Sequence, residues 1–393
     1  MEQPFSATLL SIPQLKLKNT SRIFLRKPKT IPEELCKIFF TSLESYESEN
    51  KIVQHLRDFI SINKKRISST DEFVETIKRF AKTKYKYRPI LAIFYRYRIC
   101  VDEINDVEAF YWYDMWNRAK QDSHSQNALG VCYRDAIGTK QNFYLAFLYF
   151  QKAAEYRNPK AQLNLANCYL NAQGTLLDLS KYLCWCEKSA KSGYSEGQFQ
   201  YANFHRDDLS TPNHYTKAFH WYEKAAKQGH IKATVQLGIC YSSNLCVEIN
   251  HEKALACYKI SAASHDSEAQ VLLAKAYNSG NGTLRDVKSA FEWYRKAADA
   301  GNLTGIYNVG HCYHTGAGTR RDVNEAFRCF RKSVEEGEKE EWIAFAQYAM
   351  GNCFHYGWGT KKDLHLAAKW YRLAIDNGNK YASKQLWFVF TGR

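Results

Sequence analysis

The sequence predicts an all-α protein, a right-handed α/α superhelix of helix–turn–helix repeats with about seven good copies, one degenerate copy and helical caps at both ends. Three observations predict it. The first is a single well-written unit at Asn281–Gly301, NGTLRDVKSAFEWYRKAADAG. Asp286 stands where an N-cap carboxylate accepts free first-turn N–H groups. Ala290, Trp293, Tyr294, Ala297 and Ala298 follow as one apolar stripe at helical period, and Gly301 supplies a left-handed stop.

The second observation is recurrence. The Ala290 column reads Ala146, Tyr182, Ala218, Ala254, Ala290, Ala326 and Ala367, in steps of 36 residues until a final step of 41. The column three residues on reads Tyr149, Trp185, Trp221, Cys257, Trp293, Cys329 and Trp370. N-caps are expected at Asn142, Asp178, His214, Asn250, Asp286, Asp322 and Asp363. Stops are expected at Gly193, Gly229, Gly301, Gly337 and Gly378, with Arg157 and His265 as exceptions. The third is a preceding helix with two columns of small residues. One is Gly130, Ala166, Ala202, Gly238, Ala274, Gly310 and Gly351; the other, five residues earlier, is Ser125, Ala161, Gly197, Ala233, Ala269, Gly305 and Ala346. Small residues at that spacing let helices approach closely and receive a neighbour's aromatic ridge. A lone hairpin cannot bury both apolar faces, so the units must stack.

Taken in order, residues 1–31 form a basic, almost acid-free tail carrying Lys16, Lys18, Arg22, Arg26, Lys27 and Lys29. It reads as a solvated tail, with a mitochondrial transit segment as the minority reading against Glu2 and Pro13. Residues 32–86 form an N-terminal cap of three helices. Pro32 with Glu33 and Glu34 opens the first, whose apolar face is Leu35, Ile38, Phe39 and Leu43. Ile52, Leu56, Phe59 and Ile60 mark the second; Ser69 or Thr70 caps the third, with Phe73, Ile77 and Phe80. Residues 87–123 are a degenerate repeat, since Leu91, Ala92 and Tyr95 match a first helix and Ala109, Trp112 and Tyr113 a second. The array proper occupies 124–380, its internal turns reading GNGT at 280–283, GAGT at 316–319 and GWGT at 357–360. Five extra residues fall in the last repeat near the acids Glu335, Glu336, Glu338, Glu340 and Glu341. Residues 381–393 close the chain with a helix over Tyr381–Thr391.

Composition bounds the function. Net charge is +15, but residues 1–100 carry 20 Lys/Arg against 10 Asp/Glu, whereas residues 101–393 carry 35 against 30. The basic character therefore belongs to the N-terminal quarter. Between residues 78 and 98, cations alternate with rings, as single-stranded nucleic-acid binders do, yet the repeat register assigns most of those rings to the core. Nucleic acid is disfavoured as a partner. Five of the 12 cysteines (Cys132, Cys168, Cys240, Cys312, Cys353) share one first-helix column, where a small soft apolar group fits. With neither an export signal nor an apolar run long enough to span a bilayer, the reading is cytoplasmic. Disulfides Cys240–Cys257 and Cys312–Cys329 are the competing, minority expectation.

The pattern small-x-x-x-Leu-Gly-x-x-Tyr, Gly-x-Gly-Thr, Asp-x-x-x-Ala-x-x-Trp-Tyr-x-Lys-Ala-Ala-x-x-Gly, nearly complete at 269–301, resembles the Sel-1-like repeat family, relatives of the tetratricopeptide repeat, in a style similar to fungal members. The resemblance covers about three quarters of the chain. It implies an α/α solenoid acting as an adaptor in signalling, cell-wall regulation or membrane-protein quality control. No His-Arg-Asp or Asp-Phe-Gly accompanies it, so the kinase domain of some relatives is not expected.

Chemistry is sparse. Ser61-Ile62-Asn63-Lys64 matches Ser-x-x-Lys, but Ser-Asp-Asn and Lys-Thr-Gly are missing, and a hydrolase similar to the cysteine-rich β-lactam-hydrolysing members stays a remote alternative. His311 and His314 lie one turn apart, with Cys312 directed to the core, so a metal is not expected. No catalytic residue and no cofactor is assigned. The remaining surface of the first helices lies at positions −2, +1 and +4/+5 about the small residue, a single stripe. It holds Asn164, Asn167, Asn171, Gln200, Asn203, Arg206, Gln236, Lys275, Asn278, Asn308, His311, His314, Asn352 and His355. As the concave wall of stacked hairpins, this amide-rich stripe is the expected site for a protein or peptide partner. The chain is expected to be a monomer or weak self-associator.

Overall fold

The computed structural model describes residues 30–67, 69–207, 213–244, 246–337 and 343–391. Residues 1–29 of the expected basic tail, the acids Glu338, Glu340 and Glu341 of the last repeat, and the last two residues lie outside the described residues. Among those described, twenty α-helices and no strand are present. They form two compact units, divided between Gln228 and Gly229.

The first unit begins with α1 (Ile31–Glu44), α2 (Glu49–Ile62) and α3 (Thr70–Thr83). Pro32 sits in the first turn of α1, and Ser69 caps α3 by accepting from the Glu72 N–H. Leu35, Phe39, Leu56 and Ile77 bury their side chains among these helices. After a 3₁₀ turn at Tyr85–Tyr87 come four hairpins: α4 (Arg88–Tyr97) with α5 (Asp106–Lys120), α6 (Ser123–Asp135) with α7 (Phe143–Glu155), α8 (Pro159–Leu170) with α9 (Leu179–Lys191), and α10 (Ser195–Asp207) with α11 (His214–Lys227). The rings of the basic stretch do serve the core: Tyr87 is fully buried and Tyr95 nearly so. Three of its cations are engaged as well. Lys78 pairs with Glu75 at 2.6 Å, Arg96 with Glu49 at 3.0 Å, and Arg88 donates to the carbonyls of Ala81 and Met115.

The second unit repeats the hairpin four times: α12 (Ile231–Ser242) with α13 (His251–Ala263), α14 (Ser267–Ser279) with α15 (Val287–Asp299), α16 (Leu303–Thr315) with α17 (Val323–Glu336), and α18 (Ile343–Tyr356) with α19 (Leu364–Asp376). Helix α20 (Ala382–Thr391) follows, where the closing helix is expected.

Each hairpin is locked in the same way. The residue four places after the Ala290 column is Phe150, Cys186, Tyr222, Tyr258, Tyr294, Phe330 or Tyr371, and every one is buried. Opposite it stands the first small column. A Cβ on Gly130 would lie 2.5 Å from the Phe150 ring, on Gly238 2.6 Å from Tyr258, and on Gly351 2.4 Å from Tyr371. The rings therefore lie directly on first-helix backbone, at a distance only glycine permits. The tryptophans one place earlier, expected to carry the core, are only half-buried; in three repeats a lysine ammonium covers the ring, with Lys188 over Trp185, Lys224 over Trp221 and Lys296 over Trp293.

Successive hairpins meet through the second small column. Within each unit it meets fully buried small residues of the preceding second helix, such as Ser189 and Ala297. Added Cβ atoms at Gly197 and Gly305 would strike Ser189 and Ala297 of the preceding hairpin. The Gly-x-Gly-Thr turns add a backbone contact: a Cβ on Gly282 would lie 2.2 Å from the His251 carbonyl oxygen, and on Gly318 2.1 Å from that of Val287. Each turn thus rests on the start of the preceding second helix.

The caps follow the expected columns with two exceptions. Asn142, Asp178, Asn250, Asp286, Asp322 and Asp363 all accept from first-turn N–H groups. His214 is instead the first helical residue of α11, and Asn213 is its N-cap, in the left-handed region with no side-chain cap bond. Gly337 is extended at φ −86° and ψ 133°, not left-handed, so α17 ends without the glycine stop of its column. Arg157 and His265 hold the left-handed stop at φ +59° and +62° without glycine's freedom, so stacking imposes the turn even where the residue resists it.

Two glycines separate strain from close approach. Gly301 has φ +80° with nothing near its Cβ position, whereas Gly318 has φ +75° against the Val287 carbonyl. Gly301→Ala is expected to cost about 1–2 kcal/mol, the left-handed penalty. Gly318→Ala adds roughly 2 kcal/mol more for overpacking against backbone. Denaturant unfolding of the two variants measures the difference.

Candidate functional site: a polar stripe on the first helices

Removing the two small columns and the apolar residues between them leaves the expected stripe. In the first unit, Asn164 donates to Asn127 Oδ1 at 2.9 Å and accepts from Arg134 at 3.0 Å, joining the stripes of α6 and α8. Asn167 is half-buried on the same face and Asn171 is exposed at the helix end. On α10, Gln200, Asn203 and Arg206 line a cavity of about 470 Å³ together with Tyr182, Phe204 and Asp207. Gln200 donates to Glu196, and Arg206 pairs with the adjacent Asp207 at 2.8 Å. Tyr182, the one bulky member of an alanine column, contributes to that cavity.

In the second unit, Gln236 is half-buried on α12. Lys275 borders a smaller cavity, about 140 Å³, with Ser242, Tyr258 and Ser279. Asn278 is exposed, and its carbonyl accepts from Arg285. Asn308 donates to the Thr304 carbonyl at 2.7 Å. His311 is exposed, while His314 lies against the Trp358 ring at 4.2 Å. His355 is buried, stacked on Tyr356. Cys312 lies in the core beside Tyr294 and Val309. Among the described residues no three His, Cys, Asp or Glu side chains gather to hold a metal. Ser61 and Lys64 are exposed at the end of α2 and in the turn that follows.

Part of this stripe also has a structural duty that the sequence pattern did not show. The buried tyrosines of the locking column cross the first helix, and their hydroxyls emerge on the stripe. Tyr222 donates to Asn203 Oδ1 at 2.7 Å and Tyr371 to Asn352 Oδ1 at 2.8 Å; Tyr371 also meets His355 Nδ1 at 3.3 Å, and Tyr258 meets Ser242 at 3.1 Å. Burial pushes the Tyr258 and Tyr371 phenols above their ordinary value, so these hydroxyls stay protonated and donate. The signal was in the sequence: a ring or thiol recurs at the 36-residue interval one place after the tryptophans.

The stripe also reaches further toward the helix starts than positions −2, +1 and +4/+5. Lys160 lies one turn before Asn164, and His124 holds the same place on α6. The turn between α1 and α2 sits on them. Lys160 Nζ donates to the carbonyl of Glu47, and the Tyr46 ring stacks on His124 with centroids 5.8 Å apart. The turn is itself braced by His55, 3.2 Å from Glu47 and 3.1 Å from Ser42. Burial is the main influence on Lys160 and pulls its ammonium down to about 8, partly offset by Glu49 and Glu47.

The two units are thus stacks of all-α hairpins with a polar, amide-bearing face, which defines an α-helical repeat protein. The Sel1 repeat model matches at 90–119, 123–155, 159–194, 195–230, 231–266, 267–302, 304–338 and 344–379, and the chain belongs to the Sel1 repeat family. Its structure is similar to that of a protective antigen present in uropathogenic Escherichia coli strains displaying an SLR fold, at TM-score 0.69 and 25% identity over 87% of this chain and 72% of that one. A Sel1 repeat protein from Oxalobacter formigenes is similar at TM-score 0.55 and 25% identity, over 80% of this chain and 90% of that one. No curated protein sequence matches significantly. No described helix is long and apolar enough to cross a membrane.

Lys160 allows a check on the packing of that turn. A base depressed from 10.5 to about 8 binds fewer protons folded than unfolded between those values. Its burial penalty is therefore full below pH 8 and fades as the pH rises toward 10.5. The stability of the native chain relative to Lys160→Met is expected to rise from pH 8 to pH 10, measured by denaturant unfolding across that range.

Proposed function

We propose that this chain is a non-catalytic scaffold that holds a partner polypeptide along the polar stripe of its first helices. One observation carries the reading: the stripe of the first unit already grips a piece of polypeptide. Lys160 takes a backbone carbonyl from the α1–α2 turn, and His124 takes its tyrosine ring. A lysine and a ring, followed by amides that both donate and accept, suit an extended or turning backbone without demanding one charge. The cavity beside Gln200, Asn203 and Arg206, with Tyr182 and Phe204 among its walls, offers room for a side chain of that partner. Sel1 repeat proteins are generally protein-binding, non-catalytic scaffolds, which agrees with this use. The finer assignment, an adaptor in signalling or complex assembly in the cytoplasm, follows from the family's habits and from cysteines placed in core columns.

The test is capture of partners by the tagged full chain, compared with a variant carrying Asn164→Ala, Asn167→Ala, Asn203→Ala and Asn308→Ala. Loss of capture on the order of tenfold is expected if the stripe holds interface hot spots. A second variant replaces the exposed Lys64, Lys65, Lys82 and Lys84 by Gln and should capture normally. The reverse pattern, with binding that falls steeply as salt rises, assigns recognition to the basic quarter and to nucleic acid or another anionic surface.

A further inference from the structure

The cysteine column of the first helices has one irregular member. Cys132, Cys168, Cys312 and Cys353 are buried, as expected, but Cys240 is only half-buried. It lies near the end of α12, and the turn that follows departs from the family pattern: Asn244 and Cys246 stand where other repeats have the two glycines of Gly-x-Gly-Thr. That turn returns Cys246, also half-buried, onto the helix end. Its Sγ lies 4.0 Å from the Cys240 carbonyl oxygen, and its thiol is hydrogen-bonded to the Cys240 side chain.

We infer that Cys240 and Cys246 form an oxidant-sensitive dithiol, a modification site at which a peroxide closes a disulfide across the α12–α13 turn. The geometry supplies what such a site needs: two thiols in contact, both reachable from solvent, six residues apart across one turn. Cys257, the partner that the 17-residue spacing suggests, is instead sealed in the core, where burial pushes its thiol up to about 12. The same burial raises Cys36, Cys100, Cys132, Cys168, Cys186, Cys312, Cys329 and Cys353. Cys246 moves the other way. Its thiol is held below the usual value, first by the Cys240 hydrogen bond and further by the Val247 N–H, against burial.

The chemistry balances with hydrogen peroxide as oxidant. The Cys246 thiolate attacks one peroxide oxygen, the O–O bond breaks, and hydroxide leaves to be protonated to water, giving a sulfenic acid. Cys240 loses its proton and attacks that sulfur. The S–O bond breaks, the oxygen leaves as water, and the S–S bond forms. Two thiols have given two electrons and two protons, and one peroxide has become two waters.

The experiment treats the full chain with hydrogen peroxide, alkylates remaining thiols with iodoacetamide under denaturing conditions, and maps tryptic peptides by mass. Trypsin after Lys232 and Lys253 leaves Cys240 and Cys246 in one peptide and places Cys257 in the next. The expected result is that this peptide loses both alkylation sites and two hydrogens at peroxide levels that leave the other thiols alkylated. Reduction restores both sites, and Cys240→Ser leaves Cys246 as a sulfenic acid trapped by dimedone. The inference is overturned if the peptide stays fully alkylated while exposed Cys184 is oxidised, or if Cys240 appears cross-linked to the Cys257 peptide.

Discussion

The contact on which everything else depends is a buried second-helix side chain, most often a ring, lying against a glycine or alanine of the first helix. In each hairpin the second helix offers a buried side chain four places after its alanine, and the first helix offers a glycine or alanine to receive it. This interlock fixes the distance and rotation of the two helices together, since a ring seated on a glycine cannot slide by one residue without meeting a Cβ. Once that is fixed, the outer faces of the hairpin are fixed too. Alanine and serine fill one of them, and the next hairpin stacks there through its own small column.

The stripe is a by-product of that arrangement, and its chemistry follows from it. Tyrosines long enough to cross the first helix must place a hydroxyl on the far side, and a buried hydroxyl needs a partner. Asn203, Asn352, Ser242 and His355 supply it. Where the locking residue is Phe150, Phe330 or Cys186, the stripe carries no such duty, and Asn164 on α8 bridges to α6 instead. The amides are therefore of two kinds: some hold phenols in place, while others are organised among themselves or open to solvent. Under the proposed function, a partner docking on this face would meet groups pre-positioned by the core beneath them, which would lower the ordering cost of binding.

Much of this is legible in the sequence because the repeat prints each constraint seven times over. The helices, the caps and both small columns follow from residue spacing alone, and the aspartates and asparagines at 142, 178, 250, 286, 322 and 363 cap as their column requires. What escapes is what the spacing does not encode. Size alone nominates the tryptophans for the core, yet their neighbours one place on do the burying, a matter of about 100° of helix rotation. The column places a cap at His214, where Asn213 takes the position instead. The α1–α2 turn seated on Lys160 is a contact between residues 113 apart in sequence, outside any repeat, and no periodicity announces it. The Cys240–Cys246 pair is hidden for a related reason: it occurs in a turn that abandons the pattern.

The central claim, that ring against glycine sets the hairpin, is tested most directly by a double-mutant cycle at Gly130 and Phe150. A Cβ at Gly130 would lie 2.5 Å from the Phe150 ring. Unfolding free energies are measured for Gly130→Ala, Phe150→Leu and the pair. If the interlock governs packing, the pair is less destabilised than the sum of the single changes, with a coupling of about 1 kcal/mol or more, because the smaller side chain makes room for the methyl group. Strict additivity would contradict it, showing that the glycine and the ring stabilise the hairpin independently.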